Sequence, residues 1–380
     1  MSGKITVSAP GKVILHGEHA VVHFKKAIAV SVGLYTTVEV QPLNSDRVTF
    51  QFPAIALDVS LSFDHIRELQ ASVGIDYRYS RLDAHKKIPL EPASVAVIQD
   101  FVKTMNLIPP SSEAAGAQAK AAEAFLGLYL AIFEEPTALL FNCQTELPVG
   151  AGLGSSASFA ASLVGGMLQI SGKISEDFSL GDLEKINRWA FFSEKFVHGS
   201  PSGIDNHVTT YGGAVVFQRG EGGKEETTEN IICPEIRALL VNTKVARSTS
   251  AIIQKTNQLR QENLEKWQKI MDDIGTLVEQ AVEGFRKNSV QAELIQKNHE
   301  LLQQLGVSHP ALDKIIDLAQ LFGYSGKLTG AGGGGCAFIY IPDSTSQKSE
   351  ESLNSLKNSL TEAGFLFWDT KLGSRGVRSL

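Results

Sequence analysis

The 380-residue sequence predicts an α+β protein of two domains, and three observations carry that prediction. Short β-branched and aromatic runs in the first half are separated by turn residues, the usual punctuation of strands. From Ser248 to Gly306 the second half is dominated by helix formers. Between them Arg219–Asn230 turns polar and rich in Gly and Glu, the mark of an exposed linker or hairpin, which puts the domains at 1–230 and 231–380. Long helices interleaved with a few strands predict a sandwich, with sheet on one side and helices on the other. The halves differ too much for an internal repeat.

The elements follow in order. Ile5-Thr-Val7 reads as a strand close to the N-terminus, so no signal peptide is expected ahead of it. Leu34–Gln41 and Arg47–Phe52 pair across a turn at Pro42–Asp46, where Asn, Ser and Asp supply the turn chemistry. Ala93–Met105 and Glu113–Phe133 are helices, the second Ala-rich and apolar at helical spacing. Ala138–Phe141 is a strand, Phe159–Ile170 a long apolar helix, and Ser179–Phe196 a helix opened by Ser179 and Asp182. Ala214–Gln218 ends the first domain as a strand. The second brings a strand at Arg237–Asn242, then helical sequence to Gly306 broken only near Asn288. Helix His309–Phe322, strand Cys336–Ile341, helix Ser346–Ala363 and strand Phe365–Thr370 complete it.

Composition bounds the function. With 43% hydrophobic and 20% charged residues, the chain belongs to the soluble globular class. A net charge of −6 and a pI near 5.9 argue against nucleic-acid binding. The most apolar run, Ala124–Phe133, is far short of the ~20 residues of a membrane span. Cys143, Cys233 and Cys336 are odd in number and widely spaced, which predicts reduced thiols and a cytoplasmic location.

The chemistry is concentrated in four segments. Pro148-Val-Gly-Ala-Gly-Leu-Gly-Ser-Ser-Ala157 lies between a strand and a helix opened by two serines. Glycines let backbone N–H groups approach a ligand, and a helix N-terminus adds unpaired donors and a positive dipole end. Such a site binds an anion, most commonly phosphate, and a tight turn with a Ser cap needs fewer small residues than this. The second segment, Lys327-Leu-Thr-Gly-Ala-Gly-Gly-Gly-Gly-Cys336, formally contains G-x-G-x-x-G. It follows a helix and precedes a strand, the reverse of a dinucleotide fingerprint, so it reads as a loop pressed against a ligand or another glycine loop. No P-loop sequence occurs, and a hydrolase elbow centred on Ser156 fails because Ser158 stands where glycine is required.

The third segment is Ser8-Ala-Pro-Gly-Lys-Val-Ile-Leu-His-Gly-Glu-His19, where Val13-Ile-Leu15 demands burial and holds Lys12 near the interior. His16, His19 and His23 lack the companion residues of a zinc site. The fourth is Glu194 with His198-Gly-Ser-Pro-Ser-Gly-Ile-Asp205, whose turn can aim the Asp205 carboxylate into a cleft. Two acids, a lysine and two glycine loops are what phosphoryl transfer from a nucleotide requires.

Taken together and in order, these segments resemble the three motifs of the GHMP small-molecule kinases, from about Ile5 to Gly376. The resemblance implies an N-terminal ribosomal-protein-S5-domain-2-like α/β domain and a ferredoxin-like C-terminal α+β sandwich, with the site between them. Ala9–Val22 is closest to the branch that phosphorylates the C5 hydroxyl of mevalonate with ATP and Mg²⁺. The resemblance places the ATP phosphates on Gly150, Ala151, Gly152, Leu153, Gly154, Ser155 and Ser156, with Lys12, Thr145, Gly330, Gly332 and Gly333 nearby. It assigns Mg²⁺ to Ser156 and Glu194, the general base to Asp205, and a charge-neutralising role to Lys12. Lys12, Glu18, His19, Asp205 and Thr243 surround the substrate in this reading. A homodimer inhibited by isoprenoid diphosphates is also implied.

The sequence departs from the family at Phe24-Lys-Lys26, where relatives have glycine and small residues, at Ser200 in place of Asn, and at Ala54 in place of an adenine-facing Asn. Two other functions remain open to the same motifs: a sister enzyme acting on phosphomevalonate or its diphosphate, and a nucleotide-binding sensor without catalysis.

Overall fold

The computed structural model describes residues 3–73, 92–109, 111–112, 114–198, 201–220, 226–246, 249–342 and 347–380. Glu113, Ser200, Ser248, Ser346 and part of the expected linker lie outside the described residues. In chain order the first half comprises β1 (Ile5–His16), a 3-10 turn at Ala20–His23, β2 (Lys26–Pro42), β3 (Arg47–Phe52), a 3-10 turn at Pro53–Ile55, and β4 (Leu57–Ser62). Then come α1 (Phe63–Val73), α2 (Pro92–Thr104), α3 (Ala115–Ile132), β5 (Leu139–Thr145), α4 (Ser155–Ile170), α5 (Leu180–His198), α6 (Ile204–Tyr211) and the hairpin β6 (Ala214–Gln218)–β7 (Thr227–Ile231). The second half has β8 (Ile236–Asn242), α7 (Thr249–Glu262), α8 (Leu264–Arg286), α9 (Ala292–Gln304), α10 (Pro310–Leu321), β9 (Gly326–Leu328), β10 (Cys336–Ile341), α11 (Gln347–Glu362), β11 (Leu366–Leu372) and β12 (Arg378–Ser379).

Local chemistry explains most boundaries. Residues of β4 alternate buried and exposed, the period of a half-buried strand. Ser179 and Asp182 cap α5 reciprocally: Asp182 N–H donates to Ser179 Oγ at 3.2 Å, and Ser179 N–H to Asp182 Oδ2 at 3.2 Å. The helical stretch expected to break only near Asn288 also breaks at Asn263. That residue leaves the helical region at φ −150° and its side chain accepts from Lys266 N–H, capping α8.

Among the described residues the twelve strands form one sheet that runs through both halves. The second-half strands lie in the order β11-β8-β10-β9 with antiparallel neighbours, the 4-1-3-2 arrangement of a ferredoxin-like sandwich. β11 joins this group to β2 through Leu372 opposite Val32. The final strand, β12, crosses back to pair with β1, Val7 facing Ser379. Helix α4 lies directly on β1 and β2 because Gly165 and Gly166 are in its middle. A Cβ there would fall 2.8 Å from Val7 Cγ1 and 2.9 Å from Val40 Cγ2. Each glycine costs the helix about 1 kcal/mol, and close approach to the sheet is what it gains. No helix among the described residues is long and apolar enough to cross a membrane.

Where the halves meet, two histidines are buried. His16 Nδ1 lies 3.1 Å from Asn298 Oδ1 of α9, and His299 Nδ1 accepts from Leu328 N–H at 3.4 Å. Burial, then the nearby Lys327 charge, lowers His16 to about 3 and His299 to about 4. Both are therefore neutral in the folded chain at neutral pH and titrate near 6.5 once unfolded. Between about pH 6.5 and 4 the unfolded state binds the extra protons, so stability falls as pH falls, by about 1.4 kcal/mol per pH unit for each histidine. His299→Gln should make this decline shallower by about that amount, measured as urea stability at pH values across this window.

Candidate active site

The glycine loop between β5 and α4 presents its residues alternately to two surroundings. Val149, Gly150, Gly152, Gly154, Ser155 and Ser156 line a cleft of about 520 Å³. Leu147, Ala151 and Leu153 are buried in the core that extends into the second half. Gly150, Gly152 and Gly154 have φ of 77°, 87° and 69°. Alternating positive φ turns successive N–H groups toward one side, a concavity suited to an anion. The cap position of α4 is Gly154, not a serine as a capped turn would have it. Ser155 and Ser156 are then the first helical residues, with unspent N–H groups at the positive end of the helix.

Lys12 faces this loop because β1 is irregular there. The β1–β2 register shifts between Pro10 and Gly11, and such a bulge re-aims the side chains that follow. Lys12 N–H donates to Leu153 C=O at 2.8 Å, so strand and loop are bonded backbone to backbone. The Lys12 side chain is almost wholly buried, and its Nζ lies 3.0 Å from Asp205 Oδ1. Asp205 is in the first turn of α6 and lines the same cleft. Asn206 pins that turn to α5, donating to Asn187 Oδ1 at 2.6 Å.

On α5, Glu194 and His198 are one turn apart and share a face. Ser156 Oγ donates to Glu194 Oε2 at 3.2 Å and lies 3.2 Å from His198 Nε2. Glu194 Oε1 is buried without a hydrogen-bond partner. Burial, then the Asp205 charge, raises the Glu194 carboxyl to about 8. An orphaned carboxyl oxygen beside a hydroxyl and near a second carboxylate fits the donor set of a divalent cation.

The remaining expected residues divide. Gly330 and Ala331 line the cleft. Gly332 and Gly333 instead press on the protein: a Cβ would meet Val307 O at 2.1 Å and Ile252 Cδ1 at 2.5 Å. Thr145 Oγ1 bonds Thr36 Oγ1 at 2.8 Å and accepts from Leu147 N–H at 3.1 Å, bracing the loop from behind. Thr243 Oγ1 donates to Gly335 C=O at 2.8 Å. Glu18 forms a fully buried ion pair with Lys327, and His19 Nε2 is 2.9 Å from Ala331 O. His16, His19 and His23 contact Asn298, Ala331 and Trp267 respectively.

Several residues escaped the sequence reading. His198 was named only as the first residue of the segment leading to Asp205, and Lys327 only as the start of a glycine motif. Lys120 and the apolar wall of Phe52, Ile55, Phe159 and Val197 gave no local signal as parts of one cleft.

Comparisons with known proteins identify the family. The family model for the GHMP kinases N terminal domain matches residues 113–213, and that for GHMP kinases C terminal matches 260–364. Mevalonate kinase of Mus musculus is 33% identical over 99% of this chain and 95% of its own length. The chain belongs to the mevalonate kinase family. The Methanococcus jannaschii mevalonate kinase has the same fold, with a TM-score of 0.68 at 21% identity, covering 98% of this chain and 99% of that one. So does the L. major mevalonate kinase in complex with R-mevalonate, with a TM-score of 0.65 at 22% identity over 99% and 97% of the two chains. GHMP kinases use ATP.

Gly154 tests the link between loop and lysine. A Cβ there would lie 2.7 Å from Lys12 Cγ, at a φ of 69° that alanine adopts at a cost. Gly154→Ala should lower kinase kcat on the order of 100-fold by displacing Lys12, while stability falls by only about 1–2 kcal/mol. Steady-state kinetics beside a denaturation curve checks this, and an unchanged kcat would remove Lys12 from the reaction.

Proposed function

We propose that this chain transfers the γ-phosphoryl group of ATP to the C5 hydroxyl of mevalonate, giving 5-phosphomevalonate and ADP. The observation that carries the reading is the Lys12–Asp205 pair, 3.0 Å apart and nearly sealed from water on the lysine side, at the edge of a phosphate-binding loop. An alcohol is a poor nucleophile at neutral pH, so its proton must leave as the bond to phosphorus forms. Asp205 accepts that proton. The hydroxyl oxygen bonds to the γ-phosphorus, the bond from phosphorus to the β,γ-bridging oxygen breaks, and ADP departs with those electrons. Lys12 holds the Asp205 carboxylate in one orientation and offsets charge on the transferring group. The N–H groups of Gly150–Ser156 bind the phosphates. Ser156 and Glu194 would hold Mg²⁺, which supplies charge neutralisation to the phosphates when bound.

The domains at 1–230 and 231–380 meet at this cleft in the reading, except that β12 belongs spatially with the first. The further expectations are a homodimer, a cytoplasmic location, and competition by isoprenoid diphosphates. Phe52, Ile55, Phe159 and Val197 beside the loop suit the last, since they offer an apolar wall next to a diphosphate site.

Under ATP, mevalonate should be turned over, and phosphomevalonate, homoserine and galactose should not. Turnover of phosphomevalonate alone would replace this assignment with a sister activity. Asp205→Asn should abolish turnover while ATP binding is largely kept, so ligand titration and kinetics on the same preparation separate base from binding. Wild-type turnover in that variant would point elsewhere for the proton acceptor. Ser156→Ala should raise the Mg²⁺ concentration needed for half-maximal rate, by about tenfold for the loss of one oxygen ligand contact.

A further inference from the structure

The sharpest backbone corner near the cleft is at His19. The residue has φ 63° and ψ −43°, and Ala20 N–H donates across it to Glu18 C=O at 2.7 Å. This is a γ-turn of positive φ, a rare and strained conformation for a residue with a side chain. Such strain persists only where the surroundings over-determine it. Here they do. Before the corner, Gly17 has φ 98° and no room for a Cβ, which would lie 2.6 Å from Ala27 Cα. Glu18 is fixed by its buried pair with Lys327. Beyond the corner, His23 packs edge-on against Trp267 of α8 at 4.6 Å, and Lys25 reaches Asp272 of the same helix at 2.6 Å.

The strained turn delivers the His19 ring to the third motif. Its Nε2 is 2.9 Å from Ala331 O, a group that only accepts, so Nε2 carries the proton. The outer side of that glycine loop is held by other bonds: Gly333 N–H to Val307 C=O at 2.9 Å and Gly335 N–H to Val245 C=O at 3.3 Å. At its base, Thr329 Oγ1 exchanges hydrogen bonds with the Ile14 backbone at 3.2 and 3.0 Å. Gly330 and Ala331 are the part of the loop that lines the cleft, and His19 itself does not line it.

We infer that His19 is a positioning residue: its strained turn brings an N–H to the Ala331 carbonyl and so fixes Gly330–Ala331 against the bound nucleotide. It does not act on the acceptor alcohol in this account, unlike the role its motif implies. The inference rests on the kinase reading for the identity of the ligand, but its test needs no phosphoryl transfer.

The test compares His19→Gln, which keeps a donor at similar reach, with His19→Leu, which keeps bulk and strain but has no donor. Hydrogen exchange of the 327–336 segment in the ligand-free full chain and ADP affinity by calorimetry are the readouts. In His19→Leu, exchange of that segment should be about fivefold faster and ADP about fivefold weaker, the worth of one net hydrogen bond. His19→Gln should hold both within about twofold of wild type. His19→Gly, which removes donor and strain together, should be at least as stable as wild type to denaturant and bind ADP as weakly as the Leu variant. Wild-type exchange and affinity in His19→Leu would overturn the inference. So would failure of His19→Gln to retain them, or faster exchange spread evenly over the chain. If mevalonate proved not to be the acceptor, these measurements would still decide the role of His19.

Discussion

The site depends on one backbone contact, the hydrogen bond from Lys12 N–H to Leu153 C=O at 2.8 Å, and on the absence of side chains around it. A Cβ at Gly11 would sit 2.5 Å from Leu147 Cδ2 and 2.7 Å from Leu153 O. Strand and loop therefore touch at van der Waals distance only because glycine occupies both Gly11 and Gly154. Two hydroxyls carry the same apposition further. Ser158 Oγ donates to Ala9 C=O at 2.8 Å, and Thr209 Oγ1 to Ala157 C=O at 3.4 Å, so α4 is tied to β1 and to α6. Through these ties the position of the glycine loop sets where Lys12, Asp205 and Ser156 stand.

Charge is arranged along that scaffold in alternating sign. Lys327 pairs with Glu18, Glu18 feels Lys12, Lys12 pairs with Asp205, and Asp205 raises the proton affinity of Glu194. Buried charges are tolerated when each has a partner of opposite sign. Lys327 and Glu18 have one, and so has Lys12. Glu194 differs: burial and then the Asp205 charge push its carboxyl toward the protonated form, against the Ser156 hydrogen bond and Lys12. The row ends at Glu194, whose Oε2 accepts from Ser156 Oγ and whose Oε1 has no hydrogen-bond partner. In the proposed reaction a cation beside Glu194 would favour its charged form and extend the alternation.

How much of this was legible depends on the range of the interaction. The glycine loop was readable because strand, glycine turn and serines are consecutive. The strands at Arg47–Phe52 and Cys336–Ile341 emerged at those limits, but Arg47–Phe52 pairs with β4 and β5 and not, as expected, with the strand before it. Lys12, Glu194 and Asp205 were singled out from their segments, but the roles expected of them came only with the family resemblance, since no local rule distinguishes a catalytic acid from a solvated one. The continuity of the sheet was not readable. Leu372 opposite Val32 and a bridge from Gly212 to Arg375 join the two halves, and the return of β12 to β1 spans almost the whole sequence. Asn263 was missed because an N-cap within a run of helix formers differs from its neighbours by one side chain. His198 was missed for a similar reason, since its meaning comes from Ser156, 42 residues away.

The third glycine motif shows where composition misleads. A position that excludes a Cβ needs glycine whatever presses against it, so the sequence cannot say whether the neighbour is a phosphate or the protein itself. Here Gly332, Gly333 and Gly334 meet Val307 O, Ile252 Cδ1 and Val245 O, all within 2.7 Å of where a Cβ would be. These are contacts to the loop after α9, to α7 and to the segment after β8. The glycines thus draw second-half elements against the back of the loop, and only Gly330 and Ala331 are left facing the cleft. A loop clamped from behind has little freedom to follow a ligand. Its cleft-facing residues must then be placed by contacts from the first half, which is why the strained corner that follows β1 and the glycine run belong to one device.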